Sequence, residues 1–331
     1  MILPMHNEEI VINRKLESIF NSDYPLEKIA LFIALDDCSD KTLEICKTYI
    51  DKFPNFEIIE FKQRMGKPNI INFLLKKIDP VKFPITIISD ANVMLERNTL
   101  KNLSSAFYTP SIGLVDSKMV VDANINNKNE RKYIGFEQNL KIGESQLFSI
   151  IQGPFGGCFA FRTELFHLIP ENFLVDDFFI SSQISLKGFN SIVAQNALVY
   201  EYTNTNINEE FNRKRRIAAG NFQNLFYFLP LFFSFKVISI FTFFSHKFLR
   251  WITPHLVILQ MIVLVIILFK SQNFSLLIFT LSLILFLAYL ILFSTSTNKF
   301  IYFLKMNFAV LLGFIDYLKG IKTNIWKPTK R

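Results

Sequence analysis

Residues 85–95, ITIISDANVML, run from an apolar, β-branched stretch straight into Asp90, with Asn92 two positions on. A second apolar run, IALFIAL (29–35), ends in DDCSD, which supplies Asp36, Asp37 and Asp40. Open α/β sheets bind ligands beyond the carboxyl ends of their strands, where the strand order reverses. One acidic loop is explained by helix capping. Two such loops, with the basic turn RMGK (64–67) between them in sequence, point to a site for a metal ion and phosphates. Farther on, VDDFFIS sets Asp176 and Asp177 beside Phe178 and Phe179. A carboxylate in a partly dry pocket has a raised pKa, which suits a general base. The run NRKRR (212–216) gathers cations able to meet a diphosphate or anionic lipid.

Those residues need a scaffold, and the first 120 residues supply one. Strand-like and helix-like segments alternate, as in an α/β fold with a mostly parallel sheet and flanking crossover helices. ILPM is a strand stub, and Asn7 is placed to cap a helix that opens on Glu8 and Glu9 and runs to about Phe20. IALFIAL, FEIIEF and ITIIS read as buried strands. A helix is expected from about Lys41 to Lys52, and another over KPNIINFLLKKI with Pro68 in its first turn.

The rest of the chain changes character. Of 331 residues 38 are Phe, and past about Gln223 the apolar stretches dominate. The division expected is a water-soluble domain over 1–222 and a membrane region over 223–331. Residues 251–269 and 274–293 hold no Asp, Glu, Lys or Arg and approach the length of a bilayer span. Segments 225–245 and 300–318 carry Lys236, and Lys305 with Asp316, and each could span or lie in the interface. Placing the basic HKFLR (246–250) and the basic C-terminus on one side favours a two-helix hairpin with the outer segments interfacial.

The net charge of +8 is gathered beside the apolar region, so the basic partner is membrane lipid and nucleic acid is excluded. Cys38, Cys46 and Cys158 form no disulfide framework, and the four His show no zinc spacing. An ion-coupled transporter would need ionisable residues within its spans, and the two clear helices have none.

In order along the chain, LPMHNEE, DDCSD, GK with IIN, SDAN, GPFGGCFAFR, VDDFFIS and RKRRIAAGNFQ resemble the motifs of membrane-bound family 2 glycosyltransferases. Cellulose, chitin and hyaluronan synthases belong to that group. The resemblance covers residues 2–224 as motifs, and the apolar tail agrees in kind. It implies a GT-A, Rossmann-like fold followed by C-terminal membrane helices, and inverting transfer in one displacement. By the same resemblance Asp37, with Asp36 as second choice, binds the nucleotide base, and Lys67 after Gly66 meets the donor diphosphate. SDAN matches the family's DxD motif, so Asp90 and Asn92 are implied ligands of Mg²⁺ or Mn²⁺, with an amide in place of the second acid. Gly156 and Gly157 fall by the implied acceptor pocket, although a tight turn explains them equally well. Asp177 takes the position of the catalytic base, with Asp176 beside it on the acceptor side. RKRRI aligns with QxxRW, so Arg216 keeps the implied catalytic arginine while Arg213 and Ile217 replace Gln and Trp.

The resulting expectation is an inverting transferase that moves a sugar from a nucleotide sugar, UDP-linked by preference, to a saccharide or lipid-linked acceptor. It would sit in a bacterial inner membrane with its catalytic domain in the cytoplasm, leaving room for partner membrane proteins. A processive β-glycan synthase and a non-catalytic nucleotide-sugar binder stay open as alternatives.

Overall fold

Ile2, Leu3, Pro4 and Met5 are all buried, so the first strand (β1, Ile2–Met5) has no solvent face and belongs inside a sheet. In the computed structural model, which describes residues 1–120, 128–201, 207–293 and 298–325, β1 lies between two parallel neighbours. These are β2 (Ala30–Asp36) and β4 (Ile85–Ser89). The sheet has eight strands in the order β3-β2-β1-β4-β7-β6-β8-β5, with β3 Asn55–Phe61, β5 Val93–Leu95, β6 Ile112–Val120, β7 Cys158–Arg162 and β8 Asn190–Glu201. The half built from β1 to β4 is parallel, as the alternation predicts. Beyond it the sheet is mixed. β7 runs antiparallel to β4 and β6, and β5 antiparallel to β8, while β6 and β8 are parallel.

Helices cover both faces. In α1 (Ile12–Phe20) Ile12, Leu16 and Ile19 share a buried face at helical spacing. They pack with Leu3, Leu31 and Ile33 on one side of the sheet. On the other side α3 (Lys67–Lys77) and α6 (Asp176–Leu186) bring Ile70, Leu74 and Phe179 against Ile2, Phe159 and Phe161. The remaining helices of this part are α2 (Thr42–Lys47), α4 (Thr99–Ser105), α5 (Lys128–Phe148) and α7 (Ile207–Phe228). Between 41 and 52 the expected helix is broken. α2 stops at Lys47, and a single 3-10 turn, Ile50–Lys52, follows.

The expected cap at Asn7 is not formed. Asn7 has φ of 54°, and α1 starts only at Ile12. Its carboxamide oxygen instead accepts the Ser39 N–H at 2.8 Å, and the Glu8 N–H donates to Thr42 Oγ1 at 2.8 Å. These bonds tie the loop after β1 to the loop after β2, on the edge where ligands bind. Asp40, just before the α2 N-cap residue Lys41, accepts the Thr42 N–H at 3.0 Å.

Past the sheet, three helices among the described residues are long and apolar enough to cross a membrane: Val237–Lys270, Phe274–Ile291 and Lys299–Leu318. The segment 225–245 is not one helix, because α7 ends at Phe228 and a 3-10 stretch with Pro230 intervenes. α8 (Val237–Thr242) then runs through a wide turn into α9 (Leu249–Lys270), followed by α10 (Phe274–Phe293). The last helix, α11 (Lys299–Leu318), packs along α7. Gly313 allows that approach, since a Cβ there would lie 2.5 Å from the Arg215 carbonyl oxygen. Arg215 also grips Asp316 through two hydrogen bonds of 2.5 and 2.6 Å. Residues 326–331 of the basic tail lie outside the described residues.

A lysine anchors the turn that the chemistry needs. Lys15 is fully buried, and its ammonium donates to Ser89 Oγ at 2.7 Å and to the Val93 carbonyl. Both acceptors flank the SDAN turn, so α1 fixes the turn from behind. Burial pulls the Lys15 pKa down to about 8. Replacing Lys15 with Met should leave the Val93 carbonyl without its partner, a cost of about 1–3 kcal/mol. A lowered melting midpoint of the detergent-solubilised Lys15→Met protein is expected; an unchanged midpoint would remove Lys15 as the anchor.

Candidate active site

Four strand ends and two helices converge on one cavity of about 850 Å³. Asp36 closes β2, Asp90 and Asn92 follow β4, Gly156 and Gly157 precede β7, and Glu201 ends β8. Asp176 and Asp177 open α6, where the positive end of the helix dipole favours acids. Arg213 and Arg216 enter from α7. At its far end the cavity reaches Trp251, Tyr302, Phe303 and Met306 on the apolar helices.

Of the first acidic pair, Asp36 faces the cavity and Asp37 does not line it. Asp37 is exposed in a left-handed turn with φ of 58°. Asp36 is buried; Oδ1 accepts the Met65 N–H at 2.6 Å, and Oδ2 accepts the Gly66 N–H at 3.1 Å and Arg64 Nε at 3.2 Å. Of the two acids expected at the nucleotide base, with Asp37 preferred, the cavity wall holds Asp36. Asp36 also shapes the RMGK turn, and Gly66, at φ of 78°, has no room for a side chain. A Cβ there would lie 2.1 Å from Asn324 Oδ1, a residue from beyond α11 that is 2% exposed.

Lys67 binds the next group together. Its Nζ donates to Asp90 Oδ1 at 2.8 Å and to the Gly156 carbonyl at 3.2 Å, and stands 3.7 Å from Asp176 Oδ2. Burial works against its charge, but Asp176 and Asp90 outweigh that and hold its pKa above the usual lysine value. Asp177 is pushed up to about 6, first by burial and then by the neighbouring charge of Asp176. Asp176 is raised too, mainly by burial, and its Oδ2 has no hydrogen-bond partner among the described residues. Burial and then Arg213 bring Arg216 down to about 10, still protonated at neutral pH. Arg213 is engaged with the buried Glu210 through bonds of 2.9 and 3.1 Å.

The glycines have specific reasons. A Cβ on Gly156 would lie 2.4 Å from Asp177 Oδ2, so this position keeps the space of the Asp177 carboxylate. The Gly157 carbonyl accepts the Asp90 N–H at 2.9 Å and Ser89 Oγ at 3.1 Å. Behind them, Asp116 accepts the Phe155 N–H at 2.7 Å and pairs with Lys141 at 2.7 Å, fixing the turn.

Among the described residues, no three His, Cys, Asp or Glu side chains form a ready-made metal cage. The residues present still fit a hard divalent cation. Asp90 and the Asn92 amide lie on one turn at the cavity wall, and the orphaned Asp176 oxygen lines the same space. Mg²⁺-type ions use one or two carboxylates, waters and substrate phosphates. Glu201 was not among the residues the motifs singled out. Its β8 strand ends in the continuous apolar run ALVY followed by the acid, the same signature that marks Asp36 and Asp90.

A model of "Glycosyl transferase family group 2" matches residues 85–312. The chain belongs to that family. A model of "Glycosyl transferase family 21" matches residues 1–140 of the transferase as well. In fold it is similar to the mannosyltransferase PcManGT from Pyrobaculum calidifontis, solved with GDP-Man and Mn²⁺. The TM-score is 0.68 at 18% identity, over 96% of this chain and 86% of that one. The transferase is 37% identical over 76 residues to the minor teichoic acid biosynthesis protein GgaB of Bacillus subtilis (strain 168), covering 23% of this chain and 8% of GgaB. It is 33% identical over 102 residues to a dolichyl N-acetyl-α-D-glucosaminyl phosphate 3-β-D-2,3-diacetamido-2,3-dideoxy-β-D-glucuronosyltransferase of Methanococcus voltae, covering 31% of each chain. The aligned stretch is thus at most about a third of these relatives' lengths.

The contact between Gly156 and Asp177 is open to a direct test. Gly156→Ala should displace the Asp177 carboxylate and lower kcat by about a hundredfold, as a misplacement near 1 Å does. Nucleotide-sugar affinity should change little. Steady-state kinetics beside donor titration checks this, and an unchanged kcat would show that the Asp177 position is not critical.

Proposed function

We propose that the protein is an inverting glycosyltransferase that transfers a sugar from a UDP-sugar to a lipid-linked or saccharide acceptor at the cytoplasmic face of a bacterial inner membrane. The observation that carries this reading is Asp177, a half-buried carboxylate with its pKa pushed up to about 6, in the same cavity as the Lys67–Asp90 pair. Asp36, Gly66 and Arg64 frame the nucleotide end, and Lys67 and Arg216 face the diphosphate. Asp90 and Asn92 would hold Mg²⁺ or Mn²⁺. Bound there, a divalent cation supplies positive charge for the leaving nucleoside diphosphate.

In the transfer, Asp177 accepts the acceptor hydroxyl proton as that oxygen bonds to the anomeric carbon. The bond from that carbon to the phosphate oxygen breaks, and its electron pair leaves with the diphosphate. Lys67 and Arg216 stabilise the growing charge as preorganised cations. Asp176 raises the proton affinity of Asp177 and, with Gly156, Gly157 and Arg213, borders the acceptor. A lipid-linked acceptor suits a cavity that extends from charged groups to Trp251, Phe303 and Met306 on apolar helices. It also agrees with the acceptor in the name of the Methanococcus relative. The docking of α11 on α7 supports the interfacial choice for residues 300–318.

Nucleotide release from a panel of UDP- and GDP-sugars, with and without Mn²⁺ or Mg²⁺, tests the reading. Metal-dependent turnover of one donor that Asp177→Asn abolishes is expected. Donor binding without turnover in the unaltered protein, across lipid-linked and free acceptors, would instead support the non-catalytic binder.

The pH profile is a second test. A base works deprotonated, and Asp177 holds its proton up to about pH 6. kcat/KM should therefore fall about tenfold per pH unit below that value and level off above it. Asp176→Asn removes a charge that raises the Asp177 pKa, so the acid limb should move to lower pH. A limb that stays in place in Asp176→Asn, or lies near the ordinary carboxylate value in the unaltered protein, would exclude Asp177 as the base.

A further inference from the structure

The SDAN turn brings one carboxylate where a divalent cation site of two hard anionic ligands would bring two. Strand β8 supplies another. Glu201 is in register with Val93 across the antiparallel β5–β8 pair, next to the turn that carries Asp90 and Asn92. The Asn92 amide, 6% exposed, donates to Glu201 Oε1 at 3.3 Å. All three side chains line the cavity. We propose that Glu201 is the second carboxylate of the cation site, replacing the acid that position 92 lacks, with Asn92 as the residue that orients it.

Charge and satisfaction support the assignment. Asp90 and Glu201 line the wall of one cavity, and a cation between two carboxylates offsets their repulsion. Arg213 gives its guanidinium to Glu210, and Lys67 gives its ammonium to Asp90. Asp176, 7% exposed, lines the same cavity, and its Oδ2 stands 3.7 Å from Lys67 Nζ without a hydrogen-bond partner among the described residues. The geometry also accounts for the amide at position 92. An acid there would set a second charge against Glu201 within hydrogen-bond distance, whereas Asn92 donates to it. The acid has moved from the turn to the facing strand.

The inference rests on the metal-dependent transferase reading, so the experiment separates the two. Mn²⁺ binding to the detergent-solubilised full chain is measured by electron paramagnetic resonance in the presence of UDP. The proteins compared are the unaltered chain, Glu201→Gln, Glu201→Asp and the double variant Glu201→Gln/Asn92→Asp. Loss of a ligand should weaken Mn²⁺ binding by about ten- to a hundredfold in Glu201→Gln, and the double variant should recover most of it. Glu201→Asp keeps the charge but withdraws it by one methylene; it should bind Mn²⁺ at least about threefold more weakly, which keeps the test valid if the Gln variant does not fold. Mn²⁺ affinity unchanged in Glu201→Gln, or in Glu201→Asp where the Gln variant does not fold, would overturn the assignment alone. So would a loss confined to UDP-sugar over UDP, which makes Glu201 a ligand of the sugar hydroxyls. Absence of Mn²⁺ binding in the unaltered chain would overturn the metal-dependent reading itself, and this assignment with it.

Discussion

The buried Lys67 ammonium, held between Asp90 and Asp176, is the constraint on which the site depends. Carboxylates drawn together in a low-dielectric wall repel, and one of them protonates unless a cation intervenes. Lys67 joins three separate parts of the chain: the turn after β3, the turn after β4 and the start of α6. Its bond to the Gly156 carbonyl adds the turn before β7. Removing one partner of such a buried pair leaves an uncompensated charge. Assembly of the Asp90 turn and ionisation of the Asp176–Asp177 pair are therefore the same electrostatic problem. Asp176 feels Lys67 directly, and Asp177 feels it while remaining high in pKa.

Around that centre the fold acts as a set of braces. Lys15 holds the SDAN turn from beneath. Asp36 organises the RMGK turn through two backbone N–H groups, and Asp116 holds the turn before β7 through the Phe155 N–H. Each brace is a buried charged group spent on backbone, the kind of hydrogen bond that is strongest and most costly to lose. The polar edge of the sheet is thereby made rigid without apolar packing, which a ligand-binding rim cannot use.

Much of this was legible in the sequence, for a physical reason. A buried strand that ends abruptly on an acid has few structural uses for it, and Asp90 was readable on that basis; the acid pair at 176–177 stood out between apolar neighbours. What escaped depends on relations that cross the chain. Asp36 and Asp37 are adjacent acids, and only the pleat and the left-handed turn at 37 decide which one faces inward. Asn7 looked like a cap because its partner Ser39 lies in a different loop. Gly156 looked like a turn glycine, whereas its lack of a side chain makes room for a carboxylate from α6. Glu201 carried the same strand-end signature as Asp90, but nothing local shows that β8 pairs with β5. The mixed half of the sheet hid it, because alternation of elements announces parallel crossovers and is silent on antiparallel insertions.

The apolar region is mechanically continuous with the catalytic domain. α7 carries Arg216 into the cavity and, one residue earlier, Arg215 out to Asp316 on α11. Neighbouring residues of one helix are rigidly related, so this pair fixes α11 beside a cation of the site. Past α11 the chain returns to the donor turn, where Asn324 fills the space above Gly66. Gly66 bonds to Asp36, and the next residue is Lys67. α11 and the segment that follows it thus touch both ends of the charged centre, the arginine helix on one side and the lysine turn on the other. In the proposed reading of a transferase at a membrane face, lipid sets the depth and tilt of apolar helices, and α11 joins that region to the α7 helix of the site by direct contact.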